Sequence, residues 1–183
     1  MRLPTGLPAA DEGVARVPEE LYFEDFPVGE TYRSRGRTIT DADIRLFLGA
    51  TGADHPNHTD AEYCKRHPIF ERPVALGVQV LSVVDGFIAE AITRRSAPAL
   101  NYGHDRIRYL KPVYPGDTIH AEITILAREA KNDEWGLLTV EALAKNQTGK
   151  PVLVNVNKLL IQRRNDPRDG STRMARPDNQ EGV

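Results

Sequence analysis

Two aspartates and two histidines lie close together in the segment GADHPNHTD, residues 52–60. A histidine suits general acid–base catalysis because its ordinary pKa lies near neutral pH. A carboxylate beside it can orient a water molecule and take part in the proton transfer. Asp54 and His58 are therefore candidates for a catalytic pair, and His55 is a candidate for a residue that lines the binding pocket.

Each of these residues also has a structural interpretation. An aspartate at position 54 is typical of a turn, since its side chain can bond the nearby backbone. His55 precedes a proline, which favours extended backbone. Thr59 and Glu62 form an S/T-x-x-E pattern that predicts the start of a short helix, with Asp60 as a charge in its first turn.

Metal binding is the other chemistry that such a loop suggests. Asp54, His55 and His58 offer ligand atoms, but the chain has no HExxH motif and no cysteine cluster. It also has no G-x-S-x-G segment typical of a serine hydrolase. The residues thus favour acid–base chemistry that uses no metal and no other cofactor.

The composition is that of a globular protein. Of 183 residues, 40% are hydrophobic and 27% are charged, which is enough apolar material for one core. The formal net charge of −2 provides no general attraction to nucleic acid. A single cysteine, Cys64, excludes an internal disulfide, and no apolar run is long enough for a membrane span or a signal peptide. A cytoplasmic location is predicted.

The two ends of the chain differ from its middle. Residues 1–19 are rich in Pro, Gly, Ala and acidic residues, and residues 164–183 combine charges with Pro and Gly. Segments of this kind bury too little apolar surface to offset their ordering entropy. We predict a flexible N-terminal segment, a folded domain over 20–163 and a flexible C-terminal tail.

The first half of that domain favours helices. Thr40 and Asp43 form a capping box before apolar residues at helical spacing. Residues 72–92 are apolar around nearly the whole circumference of a helix, which indicates a buried central helix that starts near Pro73.

The second half changes to the period of β-strands. Alternating or β-branched runs cover 105–113, 117–129, 136–146 and 151–162, and an earlier strand covers 31–39. One long buried helix and mostly antiparallel strands predict an α+β fold, with a curved antiparallel sheet wrapped around the helix.

Residues 22–162 resemble the MaoC-like hydratases and dehydratases of the hotdog superfamily, particularly the (R)-specific enoyl-CoA hydratases. The matching segments are YFEDFPVGE, TDADIRLFLGATG, HPNHTDAEY, FERPVALGVQVLS and VYPGDTIHAEI. The resemblance implies a single hotdog fold and a homodimer with its active sites at the dimer interface. It also implies that the protein adds water to a trans-2-enoyl thioester of CoA or carrier protein, or removes water from the 3-hydroxyacyl thioester.

The resemblance also assigns roles to residues. The catalytic histidine of the family falls on His58, and the glycine whose backbone N–H binds the thioester oxygen falls on Gly77. The family aspartate lies five residues before the histidine, where this chain has Ala53, and Asp54 stands next to it. Two alternatives remain open: a thioester-binding or interaction protein that has lost hydration, and an acyl-CoA thioesterase. Arg106, Arg108 and Lys111 are candidates for contacts with CoA phosphates, or for a solvated strand face.

Overall fold

The computed structural model of the protein describes residues 20–67 and 69–164. The helices are α1 (Asp41–Thr51), α2 (Ala61–Lys65) and α3 (Gly77–Ile88). The strands are β1 (Thr31–Arg33), β2 (Arg37–Thr38), β3 (Ala99–Tyr109), β4 (Thr118–Ala130), β5 (Trp135–Lys145) and β6 (Pro151–Gln162). The segment 1–19 and the tail after Arg164 lie outside the described residues, so their flexibility stays a prediction.

The strands form one antiparallel sheet in the order β1-β4-β5-β6-β3, with β2 also paired to β4. The prediction of four antiparallel strands in the second half is confirmed. Two details differ. β3 begins at Ala99, six residues before the predicted start, because residues 99–104 lack a clear strand period and are held by pairing with β6. The strand predicted over 31–39 is broken into β1 and β2, because Ser34 between them bonds to Ala121 of β4 through its side chain as well as its backbone. The Ser34 N–H donates to the Ala121 carbonyl, and the Ser34 hydroxyl oxygen accepts from the Ala121 N–H.

Helix α3 lies across the concave face of the sheet and contacts β4, β5 and β6. Its side chains Val80, Val84, Phe87 and Ile88 are buried. They belong to one apolar core that includes strand residues such as Ile123. The expected α+β arrangement, a curved sheet around one long helix, is confirmed.

The start of α3 differs from the prediction. The helix begins at Gly77, not near Pro73, and Leu76 before it has extended backbone (φ −64°, ψ 139°). The reason is that the preceding backbone bonds to other segments: Val74 N–H donates to the Asn57 carbonyl (3.1 Å) and Ala75 N–H to the Val113 carbonyl (2.8 Å). These bonds hold residues 73–76 as an extended bridge between the α1–α2 loop and the connection from β3 to β4.

Helix α3 is also less enclosed than its apolar sequence predicts. Val78 is 49% exposed, and Ser82 and Gly86, each one turn further on, are exposed as well. One stripe of the helix therefore remains uncovered within the described part of the chain. After Ile88 the helix continues as one wider π-helical turn, Ala89–Thr93.

The caps of α1 and α2 fix the ends of the loop between them. The predicted capping box of α1 is confirmed: Asp43 N–H donates to Thr40 Oγ1 (3.1 Å), and Thr40 N–H donates to Asp43 Oδ2 (2.9 Å). Helix α2 is capped by Asp60, whose Oδ1 accepts from Tyr63 N–H (2.9 Å). The prediction that Thr59 opens α2 is wrong, because the Thr59 N–H closes the one-turn helix before it by donating to the Pro56 carbonyl.

Among residues 20–67 and 69–164, no helix combines the length and the apolar character needed to cross a membrane.

Candidate functional site

The loop between α1 and α2 is shaped by short-range bonds. Gly52 ends α1 in the left-handed region (φ 67°), which a glycine adopts without strain. Residues Pro56–His58 then form a single 3-10 turn. His55 precedes this turn, and its Nδ1 lies 2.8 Å from Asn57 Oδ1 while the edge of its ring packs against Tyr63. His55 therefore stabilises the loop, and its side chain is exposed.

His58 is held in a defined orientation. Its Nδ1 lies 2.8 Å from the Val74 carbonyl oxygen. A carbonyl only accepts hydrogen bonds, so Nδ1 carries a proton and donates it. In the neutral ring Nε2 then has a free lone pair, which is the arrangement that a general base requires.

The same extended bridge connects His58 to the start of α3. The Asn57 carbonyl accepts from Val74 N–H (3.1 Å) and from the buried Cys64 thiol (3.5 Å). Val74 in turn accepts from His58. The histidine is thus fixed relative to Gly77, three residues after Val74.

Gly77 is the first residue of α3. The Val80 N–H is the first to donate within the helix, to the Leu76 carbonyl (3.1 Å). The N–H groups of the first turn before it have no acceptor in the helix, and they carry the positive end of the helix dipole. The absence of a side chain lets Tyr109 pack closely here, because a Cβ at position 77 would lie 2.9 Å from Tyr109 Cδ1 and the ring would have to shift.

His58 and Gly77 line the same pocket, which has a volume of about 310 Å³. Asn57, Tyr109 and Lys111 are the other polar residues of its wall. The rest is mainly apolar: Phe70, Val74, Ala75, Val80, Leu110, Pro112, Val113 and Val152. An apolar cleft with a few convergent polar groups is typical of a site for a small organic ligand.

Asp54 and His55 are exposed and do not line this pocket. Asp54 N–H donates to the Gly52 carbonyl (3.0 Å), as in a turn. Its carboxylate forms no hydrogen bond with the described residues. Ala53, at the position of the family aspartate, is exposed as well. The structure thus brings His58 and Gly77 together and leaves Asp54 and His55 at the rim of the loop.

A larger groove of about 600 Å³ lies between α1 and α3. Its carboxylates are each paired with an arginine: Asp43 with Arg37 (2.9 Å) and Glu90 with Arg35 (3.1 Å). The groove has no histidine in its lining. Of the acid–base residues predicted from the sequence, His58 therefore lines the smaller pocket, and Asp54 lines neither.

The sequence patterns did not predict a cluster of polar side chains that joins α3, β3 and β6. It consists of Asp85 on α3, His104 on β3, and Asn155 and Asn157 on β6. Asn155 Nδ2 donates to Asp85 Oδ1 (3.1 Å), and His104 Nδ1 lies 2.8 Å from Asn155 Oδ1. The two asparagines alternate in the run VLVNVNK, which places both amides on one face of a strand. This alternation of two asparagines is the sequence feature that indicates the cluster.

The environment of this cluster changes two pKa values. Burial raises the pKa of Asp85, against the opposing effects of His104 and the two asparagine amides. Burial also raises the pKa of Tyr109, and the charge of Asp85 adds to that increase. Tyr109 also lines the pocket that holds His58.

Among the described residues no three His, Cys, Asp or Glu side chains are grouped as a metal ion would require.

Comparison with known proteins gives one family. Residues 24–146, more than half of the chain, match the family model described as MaoC like domain. The chain is 29% identical over 145 residues to a mesaconyl-CoA hydratase from Cereibacter sphaeroides, with 78% of this chain and 41% of that protein covered. It is 33% identical over 105 residues to an (R)-specific enoyl-CoA hydratase from Rhodospirillum rubrum, with 57% of this chain and 69% of that protein covered.

A solved structure has the same fold. A monoamine oxidase regulatory protein from Archaeoglobus fulgius is 33% identical, with a TM-score of 0.74 over 80% of this chain and 97% of that one. The family match, the antiparallel sheet around α3 and the placement of His58 beside Gly77 are consistent with one another. The chain belongs to the MaoC-like domain family, and it has the hotdog fold.

Proposed function

We propose that the protein is a hydratase or dehydratase that interconverts trans-2-enoyl and 3-hydroxyacyl thioesters of CoA or of an acyl carrier protein. One observation carries this proposal: a histidine with a free Nε2 and a helix N-terminus with free N–H groups share one largely apolar pocket. The family match supports it, since relatives named as hydratases act on CoA thioesters.

In the proposed mechanism Gly77 binds the thioester oxygen and His58 transfers the proton. The thioester oxygen accepts a hydrogen bond from the Gly77 N–H, where the helix dipole favours negative charge. His58 Nε2 takes a proton from water as the water oxygen bonds to C3. The C2–C3 π electrons move toward the thioester oxygen, and the enolate then takes at C2 the proton that His58 Nε2 removed from water, which restores the neutral ring. Dehydration follows the same steps in reverse.

In this proposal the acyl chain and the carrier contact different residues of the pocket lining. The apolar lining around Val80 and Val152 contacts the carbons of the acyl group. Lys111 lies in the lining of the same pocket, so it is the basic residue best placed for a phosphate of the carrier. Arg106 and Arg108 are exposed on β3 outside that lining.

Asp54 is proposed as the residue that orients the attacking water in place of the family aspartate. Its carboxylate is not held by any described residue, so the side chain can turn toward the pocket. Asp54→Ala should lower the hydration rate roughly tenfold, below the full range of about 10²–10⁴ for acid–base catalysis, because His58 remains. The measurement is loss of enoyl-CoA absorbance across short to long acyl chains, and Asp41→Ala on α1 is a matched control.

Ala53→Asp in the same assay distinguishes the main alternative. If the parent protein hydrates no thioester and Ala53→Asp does, the domain binds thioesters without converting them, and our proposal is wrong. A free-thiol reagent added to the same reactions detects thioester cleavage, which would indicate a thioesterase instead.

We further propose that two copies of the chain associate along β3. This strand pairs with β6 on one side only within the described chain, and it exposes Leu100 (57%) and Tyr102 (56%). Exposed apolar residues on a free strand edge are typical of a protein interface. Sedimentation should give about twice the 20.4 kDa chain mass. Leu100→Asp should shift this to a monomer, whereas a monomeric parent at micromolar concentration would contradict the proposal.

A further inference from the structure

The cluster of Asp85, His104, Asn155 and Asn157 is unusual because two of its members lie inside the apolar core. Asn155 is 0% exposed and Asn157 is 1% exposed, on the face of β6 that packs against α3. Buried amides cost stability unless all their polar atoms are bonded. Asn157 Oδ1 is buried and has no hydrogen-bond partner among the described residues.

The bonds within the cluster leave a second acceptor free. Asn155 gives its Nδ2 hydrogen to Asp85, so its Oδ1 must accept from His104 Nδ1–H. In the neutral ring His104 Nε2 is then an acceptor, and it faces Asp85 Oδ2 at 3.8 Å. Two acceptors in this position need a proton or an added donor between them. The cluster therefore presents an excess of acceptors.

The cluster opens toward the surface on one side. The side chains of Asp85 and His104 are 29% and 22% exposed, whereas the two asparagines close the inner wall. The register of β3 shifts on both sides of His104, between Asn101 and Gly103 and between His104 and Arg106. Bulges of this kind re-aim side chains, here turning His104 toward α3.

The position of the cluster relates it to the proposed thioester site. Asp85 lies eight residues after Gly77 on the same helix, about 12 Å along its axis. Tyr109, whose ring packs on Gly77, lines the same pocket, and burial together with the charge of Asp85 raises its pKa. An acyl chain bound at Gly77 and extended along α3 would bring its distal carbons to Asp85.

We infer that this cluster binds a hydroxyl group on the acyl chain, at a carbon beyond the reaction centre, so that the preferred substrates are hydroxylated acyl thioesters. A hydroxyl donates to one of the free acceptors and accepts from His104 when that ring is protonated. A carboxylate on the ligand would be repelled by Asp85, and a purely apolar chain would leave the buried acceptors unbonded. The inference rests on the proposed acyl-thioester function and adds a substrate class to it.

Binding of saturated acyl-CoAs tests this inference, because they cannot be hydrated. A series of one chain length, with the hydroxyl moved along the chain beyond C3, is compared with the unsubstituted acyl-CoA by calorimetry on the full chain. One isomer should bind about tenfold more tightly, the effect of one hydrogen bond to a charged group. Equal affinity for the whole series, including no measurable binding, would overturn the inference.

Variants assign the preference to the cluster. Asp85→Asn keeps the size of the side chain and Asn157→Val suits a buried strand, and each should reduce the preference to about twofold or less. Glu90→Gln removes a carboxylate from the adjoining turn and should keep the tenfold preference. A preference that survives both cluster variants would place the hydroxyl elsewhere. Hydration of the matching enoyl-CoAs is measured separately, so a catalytically silent protein that prefers the hydroxylated ligand contradicts only the proposed reaction.

Discussion

His58→Asn is expected to lower the turnover of enoyl-CoA hydration by about 10²–10⁴-fold. An asparagine can place its Nδ2 where His58 has Nδ1, so the bond to the Val74 carbonyl is retained. What it removes is Nε2, the atom that takes the proton from water. The measured quantities are kcat and KM for the enoyl-CoA that the parent hydrates best, together with the melting temperature.

The division between kcat and KM is part of this prediction. His58 contributes little apolar surface to the pocket, so KM should change by less than about threefold, and the loss should appear in kcat. The melting temperature should stay close to that of the parent, because Val74 keeps its donor. A variant as active as the parent would show that His58 is not the base, whatever its orientation.

Gly77→Pro is expected to lower kcat by roughly 10²–10³-fold relative to Gly77→Ala, the cost of one oxyanion donor. Both variants carry a Cβ that meets Tyr109 at about the same place, so the shift of that ring is common to both. Only proline lacks the N–H. The ratio of their rates therefore isolates the hydrogen bond to the thioester oxygen.

The fold allows this comparison. Proline is well tolerated at the first position of a helix, where the missing N–H has no helical partner. Leu76 already has the extended backbone that a following proline favours (φ −64°, ψ 139°). Both variants should therefore unfold at similar temperatures. If Gly77→Pro and Gly77→Ala have equal rates, the thioester oxygen is bound by another donor, and the effect of Gly77 is only steric.

Much of the fold could be predicted from the sequence because its signals are local. The capping box at Thr40 and the alternation along β4 to β6 depend on neighbours within a few residues. The start of α3 could not be predicted in the same way. It depends on Val74 and Ala75 bonding to segments far away in the chain, which removes them from the helix.

Some residues of the candidate site could likewise be predicted from the sequence, and others could not. His58 was predicted from its loop and from the family resemblance, Gly77 from the resemblance alone, and the structure places both in one pocket. Tyr109 could not be predicted as a neighbour of Gly77, since α3 and β3 meet only through the packing of the whole sheet. Likewise, His104 has no nearby partner in the sequence, and its bond to Asn155 spans 51 residues.

The strand order has a consequence for how the chain folds as it is made. β4, β5 and β6 follow one another as a meander with short connections, whereas β3 must pair with β6 across the whole meander, Ala99 opposite Ile161. Contacts between distant segments form slowly, because the entropy of closing the loop is lost first. The apolar face of α3 is synthesised before any strand of that meander. During synthesis this face therefore lacks its complete sheet until β6 has been made, and in this interval the nascent chain is most exposed to aggregation.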